Sequence, residues 1–417
     1  MLHKKILLIT YHFAPSAASG TFRMLGFARH LPTFGWQPLV VAPPTLPWEP
    51  MDAQLGEQVR VETIVQPVPY PAAAPRLLRK FAPNAIWLPR ALAACKRVIR
   101  EHGPDVVLTS GPPHCVHALG HYLKRSTGLP WVADFRDPWI SDGTGRKLSW
   151  MQRFALSWER RVFRNADLIL ANAPNARRMF MDAYPLDRAK VVTLTNGFDP
   201  RPTPDDARPE GRGCLRLLHA GEIYLGRDPL PLLAALAQLN AECASARSYQ
   251  LQILGRNEID LAAVLHKRGW EDLVHVVGQS AYHESLDAMA RADILVLFDQ
   301  PGRTIGVPAK LYEYLGAGRP ILALADRNGD TAAILQASGV LHRIAAPNDA
   351  GQIRQALTEL REMMNTTDMV AETPRLQPFF RENLTQTLAG RLDALIGQSS
   401  VTSLRMTAPS VLQEVES

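Results

Sequence analysis

Apolar residues along the chain fall into two alternating patterns. Short runs with little polar interruption are followed by longer stretches in which apolar positions recur every three or four residues. The first pattern reads as strands buried on both faces, the second as amphipathic helices. In the first half, Lys5–Thr10, Pro38–Ala42, Asp105–Thr109, Trp131–Asp134, Leu168–Ala171 and Val191–Leu194 are expected strands. Thr21–Pro32, Arg90–Glu101, His114–Ser126 and Trp150–Asn165 are expected helices. Strands alternating with helices imply parallel sheets with helices on their faces.

The alternation stops at Thr195–Gly213, a stretch rich in Pro, Gly and charge that is the best linker candidate in the chain. It then resumes with expected strands at Leu215–His219, Leu251–Gly255, Leu273–Gly278, Ile294–Phe298, Pro320–Ala325 and Val340–Ile344. The fold class is therefore α/β, with two facing doubly wound, Rossmann-like domains at residues 1–200 and 201–377. A separate amphipathic helix follows at 378–397. The Ser- and Thr-rich tail, 398–417, is expected to be disordered.

Composition narrows the class. The 417 residues are 46% hydrophobic and 21% charged, enough for two cores. A formal net charge of +6 favours anionic partners without choosing among phosphate ligands, lipids and nucleic acids. Cys95, Cys115, Cys214 and Cys243 are scattered, with no CxxC pair, so neither a metal centre nor a disulfide framework is expected. The opening "MLHKKILLIT" ends in "YHFAPS" and reads as a first strand rather than a signal peptide. No apolar run is long enough for a membrane span, so a cytoplasmic protein is expected.

In open α/β sheets, ligands bind at the carboxyl ends of strands. Four loops there carry candidate chemistry. "FAPSAASGTFR" sets small residues, Ser19 and Gly20 among them, before a helix start; the loop is neither a GxGxxG nor a P-loop. "VADFRDPW" clusters Asp134, Arg136 and Asp137, either as an ion pair with Arg136 bridging both carboxylates or as a reaction centre. "LLHAGEIYLGRDPLPLLAAL" places Gly221 after a strand and Arg227 before a helix start signalled by Asp228 and Pro229. An Arg at a helix N-terminus opposes the helix dipole and suits a bound phosphate; an exposed Arg is the ordinary alternative. "VPAKLYEYLGAGRPIL" buries Leu311, Tyr314 and Leu315 by periodicity and leaves Lys310 and Glu313 on one side. That pair is either a surface ion pair or a phosphate ligand beside a carboxylate for ribose hydroxyls.

In this order, these segments resemble a GT-B glycosyltransferase of the large retaining family 4 type with a "glycosyltransferase family 1" domain. "PDVVLTSGPPHCVHALG", "ADLILANAPNARRMF" and "TNGFD" add to the resemblance, which spans residues 3–396. It implies a hexosyltransferase of bacterial polysaccharide or exopolysaccharide synthesis. A nucleotide-sugar donor would be held by the second domain and an acceptor hydroxyl by the first. It implies no cofactor and no metal, the leaving diphosphate being stabilised by Arg227, Lys310 and helix N-termini. Gly221 and Arg227 match the diphosphate-gripping positions and Glu313 the ribose-binding carboxylate. Asp137, Arg136 and His114 are left to orient sugar or acceptor. Residues 378–396 match a helix that crosses back onto the first domain. Three positions depart from the family pattern. Ile305 stands where an earlier Glu is usual, Glu222 where a basic residue is usual, and Arg136 where a His is often found.

The window Arg76–Arg100 contains seven Lys or Arg and no acid, with Phe81 and Trp87. It suits an anionic membrane surface and a lipid-linked acceptor, so peripheral attachment at the inner face of the plasma membrane is expected. No nucleic-acid-reading motif accompanies it. A sugar-nucleotide epimerase of the same architecture, and a nucleotide-sugar-binding protein without catalysis, remain as alternatives.

Overall fold

A computed structural model describes residues 4–45, 49–71, 83–140, 149–185, 187–201, 214–223, 226–242, 248–255, 261–278, 280–366 and 373–407. The chain forms two compact units. Unit 1 comprises Met1–Asn172, Arg177–Leu194 and Glu382–Ser417; unit 2 comprises Ala173–Ala176 and Thr195–Arg381.

Unit 1 is built on a seven-stranded sheet in the order β3-β2-β1-β4-β5-β6-β7. The strands are β1 Lys4–Thr10, β2 Trp36–Ala42, β3 Ile64–Pro67, β4 Val106–Gly111, β5 Trp131–Phe135, β6 Leu168–Ala171 and β7 Val191–Thr193. All neighbouring pairs are parallel. Ile6–Ile9, Val106–Leu108 and Trp131–Ala133 have no exposed surface, which is why these strands read as unbroken apolar runs. The sequence pattern omits β3. It pairs only with β2, alternates half-buried with exposed residues and ends in Pro67, as an edge strand does.

Helix Trp150–Asn165 has the expected bounds, because Ser149 and Gln152 close a capping box at its start. The expected helix His114–Ser126 is divided into a 3-10 turn, His114–Val116, and helix His117–Thr127. The last helix runs from Arg381 to Thr407, past Gly397 and into the stretch expected to be disordered. An isolated Gly weakens a helix by about 1 kcal/mol without ending it. Leu384, Leu388 and Leu392 recur every fourth residue and are buried, anchoring that helix to unit 1. Trp36 Nε1 donates to Asp393 Oδ1 at 3.0 Å.

Unit 2 repeats the architecture with six strands in the order β10-β9-β8-β11-β12-β13. They are β8 Cys214–Ala220, β9 Ser248–Leu254, β10 Val274–Gly278, β11 Ile294–Phe298, β12 Ile321–Leu324 and β13 His342–Ala345, again all parallel. One core packs Leu217, Ile253 and Val296 of the sheet against Leu232, Leu236, Leu357 and Leu360 of two helices. Of the linker candidate, Thr195–Arg201 belongs to unit 2 and residues 202–213 lie outside the described residues.

The described part of the basic window is a domain helix with a solvated basic side. Trp87 is fully buried and donates to the Val68 carbonyl at 2.7 Å. Helix Leu88–His102 buries its apolar side, Ala91, Cys95 and Val98. Its exposed side, with Arg90, Lys96, Arg97 and Arg100, carries no aromatic residue. Arg76, Arg79, Lys80 and Phe81 lie outside the described residues.

Candidate functional site

Each sheet reverses its strand order once, between β1 and β4 in unit 1 and between β8 and β11 in unit 2. Ligands of open α/β sheets bind at such switch points, beyond the carboxyl ends of the strands. The topology thus selects four loops, and the residues singled out above lie on them or on the loop after β5.

In unit 2, β8 leads into Gly221 and β11 leads, through residues 299–309, into helix Lys310–Ala317. Gly255, at φ 145°, comes so close to the Gly221 carbonyl that a Cβ there would lie 2.1 Å from the oxygen. Tyr314, fully buried, ties the two switch-point strands together. Its hydroxyl accepts from Ala220 N at 2.9 Å and donates to the Val296 carbonyl at 3.2 Å. Leu311 and Leu315 are buried beside it, as the periodicity predicts.

Lys310 and Glu313 form an ion pair, Nζ to Oε2 at 2.7 Å, with the Glu313 side chain only 8% exposed. The Lys310 Nζ also lies 5.9 Å from the centroid of the Tyr282 ring. Arg227 Nη1 donates to the Glu222 carbonyl at 3.3 Å, folding the loop before helix Leu230–Glu242. Asp228 Oδ1 accepts from Leu230 N at 2.9 Å, the capping role its position predicts. Ile305 is half-buried; its neighbour Gly306 donates N–H to Asp330 Oδ2 at 2.8 Å, which fixes that loop.

His219, on β8, was not singled out from the sequence. Its Nδ1 donates to the Val296 carbonyl at 2.9 Å, so its Nε2 carries the lone pair. That buried nitrogen has no hydrogen-bond partner among the described residues, and it lies 3.2 Å from where a Cβ on Gly221 would be. Burial pulls the His219 pKa down to about 4, with Arg227 and Lys310 adding to the shift, so the ring is neutral at physiological pH.

In unit 1 the structure brings Gly20 and Arg136 together. A Cβ on Gly20 would fall 1.8 Å from an Arg136 guanidinium nitrogen, so the missing side chain is what admits that group against the first turn of helix Ser19–His30. Ser19 is exposed. Arg136 is 9% exposed, and its Nε donates to the Gly111 carbonyl at 3.3 Å and its Nη2 to the Pro112 carbonyl. Burial lowers its pKa, opposed by Asp134 and Asp137.

Arg136 therefore does not pair Asp134 in the way the sequence suggested. Asp134 takes Arg23 instead, with Nη2 to Oδ1 at 2.7 Å and Nε to Oδ2 at 3.0 Å, and accepts from Ser110 Oγ at 2.7 Å. Both partners are buried, and Arg23 also donates to the Leu194 carbonyl at 2.9 Å. Asp137 is exposed. His114 is packed between aromatic rings, 5.3 Å from Trp139 and 5.6 Å from Phe135 between centroids. Burial, then Arg136, drives its pKa down to about 3, leaving a neutral ring.

A second pair was missed. His12 lies two residues past the end of β1, and its Nδ1 lies 3.0 Å from Glu49 Oε1. Glu49 Oε2 accepts from Ser16 Oγ at 2.8 Å, and the Ser16–Met51 bridge sets the two segments side by side. Only the place of His12 at a strand end could have drawn notice; nothing local marks Glu49, 37 positions on. Among the described residues, no group of three or more His, Cys, Asp or Glu is arranged to hold a metal ion.

The family model of glycosyltransferase family 4 matches residues 22–201, most of unit 1. Residues 22–201 are thus similar to glycosyltransferase family 4, and the whole chain shares the two-unit fold of solved GT-B glycosyltransferases. A curated relative, the GDP-mannose-dependent alpha-mannosyltransferase of Mycolicibacterium smegmatis, is 25% identical over 330 residues, 76% of this chain and 79% of that one. Among solved structures, a sucrose-phosphate synthase from Thermosynechococcus elongatus aligns with a TM-score of 0.63 at 16% identity, covering 97% of this chain and 99% of that one. Anabaena HepE in complex with UDP-glucose aligns at 0.59 and 17% identity, covering 97% and 100%. The two parallel α/β units and the long final helix are those of this fold.

Proposed function

We propose that this glycosyltransferase holds a nucleotide sugar on unit 2 and passes the sugar to a hydroxyl of a lipid-linked or polysaccharide acceptor bound by unit 1. The observation that carries the donor assignment is the clustering of Gly221 and Arg227, on the loop after β8, with Lys310 and Glu313, in the first turn of helix Lys310–Ala317, at the β8/β11 switch point. Gly221 lets a diphosphate approach the backbone. Lys310 and Arg227 supply positive charge to the leaving diphosphate as the bond from phosphate oxygen to sugar carbon breaks. Glu313 accepts hydrogen bonds from the ribose diol, and its pairing with Lys310 holds both side chains in place before the ligand arrives. This charge comes from the chain's own side chains and needs no metal. On unit 1, Arg136, Asp137 and His114 orient the sugar or the acceptor, with Ser19 and Gly20 at the start of the adjoining helix. With a lipid-linked acceptor, this reading includes peripheral attachment at the inner face of the plasma membrane.

The test is a thermal-shift panel of nucleotide sugars followed by an assay for released nucleoside diphosphate with and without acceptor. GDP-mannose comes first, because the mycobacterial relative depends on it. A bound donor raises Tm by mass action. Diphosphate release that depends on an acceptor supports transfer. Isomerised sugar without release would establish an epimerase, and a shift with neither product would establish a binding protein.

A further inference from the structure

The helix Trp150–Asn165 carries an aromatic face that unit 1 does not cover. Trp150 is 73% exposed and Phe154 61%, one turn apart, and Met151 beside them is 43% exposed. Trp158 continues the stripe one turn further. Its ring meets Tyr122 of helix His117–Thr127 edge-on at 5.9 Å, and Tyr122 is itself 48% exposed. A soluble surface rarely groups so many large apolar side chains.

The exposed charges on the two described helices have one sign. Arg153, Arg160, Arg161 and Arg164 on the helix are all exposed, as is Arg125 on its neighbour. Arg161 lies over the Trp158 ring at 5.2 Å. The only acid of the helix, Glu159, has no exposed surface and is held by Ile140 N at 2.7 Å and the Tyr184 hydroxyl at 2.5 Å. The two described helices therefore offer Trp, Phe and Tyr among guanidinium groups and carry no exposed carboxylate of their own.

We infer that this face docks unit 1 onto an anionic lipid bilayer, with Trp150, Phe154 and Tyr122 in the headgroup boundary and the arginines on lipid phosphates. The inference rests on the lipid-linked acceptor reading above and names its surface. Aromatic side chains with a polar edge favour the interfacial zone, and clustered arginines favour anionic headgroups. A second copy fits less well, because an isologous contact would bring two sets of these arginines together. The surface differs from the basic window at Arg76–Arg100, whose Trp87 is buried.

The test is flotation of the full chain with vesicles of phosphatidylcholine, alone or mixed with phosphatidylglycerol. Native protein should bind the mixed vesicles and release with salt. Trp150→Ser with Phe154→Ser should weaken binding about tenfold or more with Tm unchanged. Arg153→Gln with Arg161→Gln should remove the preference for phosphatidylglycerol. Val61→Ser, at a residue 98% exposed elsewhere, should change nothing. Native protein that binds neither vesicle, or a double-serine variant that binds as tightly as native, would overturn the inference. So would a native dimer that the double-serine variant splits into monomers. The donor-induced thermal shift, measured without vesicles, separates the two readings. If it is present while vesicle binding is absent, docking alone fails; if vesicle binding is sequence-dependent but no nucleotide sugar shifts Tm, the transferase reading fails.

Discussion

Substituting Gly20 by Ala tests whether Arg136 is fixed or free. The added Cβ would sit 1.8 Å from one guanidinium nitrogen, 2.7 Å from Cζ and 2.9 Å from the other nitrogen. An arginine tip in solvent would swing aside at little cost. This one is 9% exposed and gives hydrogen bonds to the carbonyls of Gly111 and Pro112, so moving it breaks both bonds around a buried charge. Hydrogen bonds involving a charged group contribute roughly 1.5–3 kcal/mol each. Ala in place of Gly returns at most about 1 kcal/mol of helix propensity. The balance is a loss of about 2–5 kcal/mol, read at about 2–4 °C per kcal/mol as a fall in Tm of roughly 4–20 °C. Calorimetry on Gly20→Ala, Arg136→Met and the double variant completes a cycle. In the Arg136→Met background, Gly20→Ala should cost nothing or stabilise slightly. A Gly20→Ala variant that keeps its Tm within about 1 °C in the native background would refute the claim that the glycine exists to seat the guanidinium.

Other outcomes follow from the same geometry. Lys310→Ala should weaken nucleotide-sugar and nucleoside diphosphate binding by about tenfold or more in calorimetric titration, through loss of a cation beside the phosphates; unchanged affinity would remove Lys310 from the site. Arg23→Met should destabilise by roughly 3–5 kcal/mol in urea unfolding, because it leaves Asp134 charged and buried, whereas replacing both members of the pair should cost much less. Stability should be full above pH 6.5 and fall as acid approaches the folded pKa values of about 3 for His114 and about 4 for His219. Both are depressed, so the unfolded chain takes up protons first, costing each group about 1.4 kcal/mol per pH unit within its window. His219→Gln should flatten the profile between pH 6.5 and 4, which urea midpoints across that range would show.

What was legible in the sequence was whatever depends on near neighbours. Strands buried on both faces, such as Ile294–Phe298, need unbroken apolar runs, and Trp150–Asn165 carries its own cap, so both were read with correct ends. Strand β3 was not, because an edge strand is half solvated and has no such run. Lys310 and Glu313 lie three residues apart on one helix, so helix geometry alone brought them together.

The partners separated along the chain were settled only by the tertiary fold. Asp134 is paired by Arg23 from a distant helix rather than by Arg136 two residues away. Strand geometry sends alternate side chains to opposite faces, but it does not say which helix covers each face. His12 and Glu49 meet through a loop bridge that no local pattern announces. Trp87 and Trp150 are both aromatic residues in basic surroundings by sequence, yet one is fully buried and the other 73% exposed. Local sequence sets which conformations a segment favours; which side chains meet solvent depends on the segments packed over them, and those come from elsewhere in the chain.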